Sequence, residues 1–130
     1  MKDIASRRDI ELLIKKFYEK ALKDEKIGFI FTEIAQLNFE EHLPIICDFW
    51  ESVLLDNITY KGNPILKHIA LHKKINLKKG HFERWLMLWE KSVLSNFSGK
   101  TANESIKKAN MMANLMRYKI EKSEETGFIQ

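Results

Sequence analysis

The sequence predicts an all-α protein folded as one domain. Three observations carry that prediction. Apolar residues recur every three or four positions over several long stretches, capping-box spacings precede two of them, and glycine and proline are scarce, at 5 and 2 of 130 residues. No stretch alternates polar and apolar residues as a half-buried strand would, and no repeat is evident. The expected domain spans 1–130, with a core from about 6 to 122 and a polar C-terminal tail.

The first element is the clearest. Ser6 and Asp9 have capping-box spacing, and Ile10, Leu13, Ile14, Phe17, Tyr18, Ala21 and Leu22 then hold one helical face. Lys26-Ile27-Gly28 breaks the rhythm, and Phe29 to Ala35 reads as a short helix or turn packed by two aromatic rings. Leu43, Ile46, Cys47, Trp50, Val53 and Leu54 form the next stripe. Because Pro44 is best tolerated in a first turn, a regular helix is expected to begin near Leu43.

Asp56 to Pro64 has turn chemistry, and Ile65 to His72 is long enough for about two helical turns. Phe82, Trp85, Leu86, Trp89, Val93 and Phe97 then define a long helix closed by Ser98-Gly99. Thr101 to Glu104 forms a second capping box, opening a last helix whose inner face is Ile106, Ala109, Ala113, Met116 and Ile120.

Composition narrows the function. Hydrophobic residues make up 45% and charged residues 31%, the balance of a globular chain. The net charge of +4 comes from cations interspersed with Asp and Glu, and the densest run, Lys73, Lys74, Lys78 and Lys79, falls in an expected loop, so no nucleic-acid surface is predicted. Cys47 is the single cysteine. It reads as a buried small hydrophobe, excludes an internal disulfide and agrees with a reducing cytoplasm. Residues 1–8 lack an apolar signal core, and no membrane span is expected.

Familiar catalytic signatures are missing: no Gly-x-Ser-x-Gly, no phosphate loop and no dinucleotide fingerprint. His68 and His72 stand four apart on one helix face, a spacing zinc could use, but no glutamate of a His-Glu-x-x-His pattern lies between them and no further ligand pair declares itself. Taken singly, His42 and His68 are surface or half-buried histidines, and Tyr18 and Trp85 are core side chains with polar tips.

An ordered set of motifs goes further. Phe17-Tyr18, Ile30-Phe31, His42-Leu43-Pro44 followed by Phe49-Trp50, Tyr60-x-Gly62-x-Pro64, His68 and His81-Phe82-x-Arg84-Trp85-Leu86 together resemble the third group of truncated haemoglobins, in order from about Asp9 to Met116. The resemblance implies the truncated globin fold, a 2-over-2 helical sandwich around one haem b. It implies His68 as the proximal iron ligand, since His68 follows the Tyr-x-Gly-x-Pro turn, with His72 its local rival one turn on.

By the same resemblance Tyr18, His42 and Trp85 approach the open iron position, and each can donate a hydrogen bond. Phe31 would stack on the porphyrin, Ile46 would face its distal side and Leu71 its proximal side. Trp50 is expected to serve the core or the haem, and Arg84, Lys67 and Lys73 are candidate partners of the propionates. Two or three donors in a dry pocket stabilise the negative charge that dioxygen acquires on iron, which favours retention over oxygen transport.

The expected ligands are therefore dioxygen, nitric oxide, carbon monoxide or peroxide, with an unidentified reductase as electron source. The chemistry expected is nitric oxide dioxygenase or peroxidase-like turnover, and a gas or redox sensor acting through a partner is the alternative. A swing of the distal segment could instead bring His42 onto the iron. A monomer or weak dimer is expected.

Overall fold

A computed structural model describes residues 1–34, 38–57, 60, 62, 72 and 76–126. Its helices are α1 (Arg7–Ala21), α2 (Phe39–Leu54), α3 (Lys79–Asn96) and α4 (Lys100–Thr126), with a single π-helical turn at Ile30–Ile34 between α1 and α2. Helix α1 packs on α2 and α3, and α4 packs on α3 and α2. The pairs α1/α2 and α3/α4 form two layers. No helix among the described residues is long and apolar enough to cross a membrane.

The start of α1 follows its sequence closely. Ser6 caps it by accepting from the Asp9 N–H, and the Asp9 carboxylate answers by accepting from the Ser6 N–H. Ile10, Leu13, Ile14, Phe17, Tyr18 and Ala21 are buried, as the three-and-four spacing requires. Arg7 then fastens α1 to α2, its guanidinium donating to Asp48 at 2.6 Å and Glu51 at 2.8 Å.

After α1 the chain turns so tightly that a Cβ on Gly28 would lie 2.6 Å from the Leu22 carbonyl oxygen. Only glycine permits that approach. It sets Phe29 and the π-helical turn directly against the end of α1, where Phe31 meets Tyr18.

Two boundaries differ from the sequence expectation. Helix α2 begins at Phe39 rather than near Leu43, with Asn38 as its cap accepting from the Glu41 N–H at 3.4 Å. Pro44 therefore sits inside the helix, where its missing N–H leaves the Glu40 carbonyl without its helical donor. Pro44 is exposed, so solvent can compensate. At α4, Thr101 lies within the helix and the cap arrives from the other end of the chain. The Asp3 carboxylate accepts from Thr101 N–H at 2.9 Å and Ala102 N–H at 2.8 Å, and the Ser98 N–H donates to the Lys2 carbonyl.

This distant cap yields a measurable expectation. Burial alone would push the Asp3 carboxyl up, but the amides of Thr101 and Ala102 hold it below the usual carboxylate range. Asp9 is likewise held low by the Ala5 amide and the Lys2 ammonium. A carboxylate with a depressed folded pKa stabilises the fold above its unfolded value, about 4, and that stabilisation is lost as pH falls through the folded value. Urea midpoints should thus fall steadily from pH 5 towards pH 2. Asp3→Ala should cost about 1 kcal/mol at neutral pH, as cap removal does, and flatten the acid limb. An unchanged limb would remove Asp3 from this role.

Candidate functional site

The inner faces of α1, α2 and α3 meet in a run of aromatic rings. Trp89, 1% exposed, is its centre: it stacks on Trp50 with centroids 4.5 Å apart, on Trp85 at 6.0 Å, and meets the edge of Phe17 at 5.4 Å. Its indole N–H donates to the Ser105 carbonyl at 3.3 Å, which fixes the ring against α4. Trp50 continues through Phe49 to Tyr60. Trp50 is buried between α2 and α3, stacked on Trp89.

From this core the rings lead to a polar edge. Phe17 packs edge-on against Tyr18 at 5.0 Å and Trp85 at 5.8 Å. Tyr18 in turn meets Phe31 at 5.5 Å and His42 at 6.4 Å, both nearly perpendicular. The fold therefore brings Tyr18, His42 and Phe31 into one group, with Trp85 joined to it through Phe17. His42, in the first turns of α2, is half-buried, as are Phe31, Ile46 and Trp85.

Tyr18 is 7% exposed, and burial pushes its phenol far above the ordinary tyrosine value. It stays protonated, and so able to donate, well into alkaline solution. Cys47, 1% exposed on the inner side of α2, has its thiol pushed up to about 11 by burial, which keeps it protonated and unreactive at neutral pH.

Arg84 is paired with Asp24. Its Nε and Nη2 both donate to Asp24 Oδ1, at 2.8 and 2.6 Å, and Asp24 also accepts from the Lys26 and Ile27 amides. Arg84 beside it holds the Asp24 carboxyl below the usual range. This pair ties the turn after α1 to α3 and so steadies Phe17 and Tyr18 from behind. The distant partners of Asp24 and Asp3, which are Arg84 and the amides of Thr101 and Ala102, carried no local sequence signal, because each lies far along the chain.

His68, Leu71, Lys67 and Lys73 lie outside the described residues. His72, the rival of His68, is described: it is 8% exposed, in helical conformation, and its carbonyl accepts from the Asn76 N–H at 2.7 Å.

The Tyr18 group fits a haem. Phe31 against Tyr18 and the half-buried Ile46 one turn after His42 are apolar side chains that a flat hydrophobic ring could pack on, and the polar atoms among Tyr18, His42 and Trp85 are O–H and ring N–H groups with no carboxylate among them. Such a set suits a small uncharged ligand that gains partial negative charge. Two helical layers with aromatic and imidazole side chains gathered at one edge are an arrangement that the globin class shares.

Comparison with known proteins narrows the class. No family model matches the chain. A group 3 truncated hemoglobin of Campylobacter jejuni is 32% identical over 111 residues, covering 83% of this chain and 85% of that protein. The crystal structure of a group III truncated hemoglobin from Campylobacter jejuni covers 92% of this chain and 95% of its own, with TM-score 0.80 and 30% identity. The chain belongs to the group III truncated haemoglobins, a globin family whose membership implies a haem cofactor.

Proposed function

We propose that the chain binds haem b through His68 and retains dioxygen, nitric oxide or a related diatomic ligand for redox chemistry, not for transport. The convergence of Tyr18, His42 and Phe31, with Trp85 reached through Phe17, carries this reading. When bound, haem supplies an iron with one open position for a small gas.

The chain's own residues supply the rest. The Tyr18 hydroxyl, kept protonated by burial, donates to a ligand in the pocket. His42 enters from the start of α2 and adds a second donor, and the Trp85 indole a third. Phe31 and Ile46 exclude water around them, which strengthens each hydrogen bond relative to solution. Arg84, held by Asp24, ties the turn after α1 to α3 and is the residue to test as a propionate partner. Donors of this kind slow release, a poor property for a carrier that must unload and a useful one while a reductase delivers electrons. The single buried cysteine fits a cytoplasmic protein.

The test begins with the spectrum. Purified protein should carry a Soret band that shifts with carbon monoxide. His68→Ala should abolish stable haem loading, while His72→Ala should retain it. Loss of haem in His72→Ala with a native spectrum in His68→Ala would transfer the proximal role to His72. Rapid oxidation of nitric oxide by the reduced, dioxygen-loaded protein would support the redox reading. A partner complex that depends on ligand occupancy, without turnover, would replace it with a sensor.

A further inference from the structure

Three indoles stand in series through the core. Half-buried Trp85 faces Trp89 at an interplanar angle of 9° and 6.0 Å between centroids, and Trp89 faces Trp50 at 18° and 4.5 Å. Indole and phenol are the aromatic side chains that give up one electron most readily. Rings packed face to face, with no water-filled gap between them, let an electron tunnel from one to the next.

The two ends of this series differ. At one end Trp85 is the third donor proposed for the haem pocket. At the other, Trp50 reaches Tyr60 through Phe49, by edge contacts of 5.5 and 5.2 Å. The Tyr60 backbone N–H donates to Ser52 Oγ at 3.0 Å, which anchors it to α2. Its hydroxyl lies against exposed Gly62, where a Cβ would collide with it. The phenol of the Tyr-x-Gly-x-Pro motif thus opens on the surface, with buried Trp50 and Trp89 between it and Trp85.

The middle indole is suited to passing an electron on. Trp89 is 1% exposed, and its N–H donates to the Ser105 carbonyl. An amide carbonyl is far too weak a base to take that proton. An oxidised Trp89 therefore keeps its proton and returns to neutrality only by drawing an electron from a neighbouring ring. Tyr60, beside solvent, can lose its phenolic proton to water as it is oxidised, which makes it the end of the path. Phe49 is not oxidised and serves as a packed bridge.

We propose that Trp50, Trp89 and Trp85 relay electrons from Tyr60 to the haem pocket, so that a phenol in solution is oxidised at the surface while peroxide is reduced inside. This rests on the haem reading above, with hydrogen peroxide as the oxidant. One peroxide takes up two electrons and two protons to become two waters. Each electron that leaves the haem site is replaced by one passing from Tyr60 through Trp50, Trp89 and Trp85, as the Tyr60 phenolic proton goes to solvent. A phenol then gives a hydrogen atom to the Tyr60 radical, so two phenols and one peroxide yield two phenoxyl radicals and two waters.

Pulse radiolysis of the full chain tests the relay without relying on haem. The azide radical, generated in solution, oxidises half-buried Trp85 in preference to the buried pair. Tryptophyl absorbance should then give way to tyrosyl absorbance at a rate independent of protein concentration. Trp89→Phe, its fold confirmed by circular dichroism, should slow that conversion by an order of magnitude, and Tyr60→Phe should abolish it. Hydrogen peroxide added to the ferric, haem-loaded protein should give a tyrosyl signal in electron paramagnetic resonance that Tyr60→Phe removes. A conversion indifferent to both substitutions overturns the relay, as does one abolished by Tyr18→Phe instead. Conversion under azide radical with no tyrosyl signal after peroxide, in protein that carries its Soret band, overturns the link to the pocket. Absence of the Soret band would sink the haem reading alone, and the radiolysis then decides the relay.

Discussion

Trp89→Ala should destabilise the folded chain by about 3–5 kcal/mol, the cost of removing a large buried aromatic side chain and leaving a cavity. Trp89 is 1% exposed, stacks on both Trp50 and Trp85, and carries the hydrogen bond to Ser105 that joins α3 to α4. Its loss also leaves the Ser105 carbonyl without that donor. Thermal unfolding should move down by roughly 10–20 °C for a domain of this size. Trp89→Phe, which keeps a ring but not the indole N–H, should recover a large part of the difference. A loss below about 1 kcal/mol for the alanine variant would mean that the aromatic run is not the core that supports the pocket.

The second large effect concerns the ligand. Tyr18→Phe removes one hydroxyl while keeping the ring that packs on Phe17, Phe31 and His42. A hydrogen bond to a group with substantial charge contributes about 1.5–3 kcal/mol, so dioxygen release from the haem-loaded protein should quicken by about 10- to 150-fold. Carbon monoxide, which gathers less charge, should respond much less. Stopped-flow displacement measures both gases. Equal acceleration of the two would mean that Tyr18 acts by steric packing. An unchanged dioxygen rate would place the retaining donor at His42 or Trp85.

The local grammar of the chain made much of this architecture readable. Ser6 and Asp9 announced the start of α1, and the spacing of Ile10, Leu13, Ile14 and Phe17 named the face that is buried. Trp89, Val93 and Phe97 did the same for α3 and its end. Two boundaries were less readable. At α2 the helix starts before Pro44, with Asn38 as its cap, although the proline pattern had pointed to a start near Leu43. At α4 Thr101 had a suitable local pattern, but Asp3 supplies the acceptor from outside it.

The pocket divides in the same way. Tyr18 and Phe31 were visible as ring-bearing positions, yet nothing in their spacing says that they touch. Their meeting depends on Gly28, whose lack of a side chain permits the sharp return beside Leu22. Similarly, the pairing of Arg84 with Asp24 spans 60 residues and follows from packing alone. Only the ordered motifs of the family assembled these positions into one site before the fold did so.

The clasp between Asp3 and α4 also bears on the order in which the chain folds. Its partner amide at Thr101 lies 98 residues further along, so during synthesis α1 can nucleate and even dock while the first residues still wait for theirs. Closing so long a loop before the intervening helices pack would carry a large entropic penalty, whereas afterwards the ends are already neighbours. The clasp is therefore a late event that seals a formed core, and the earliest residues to leave the ribosome are among the last to find their place.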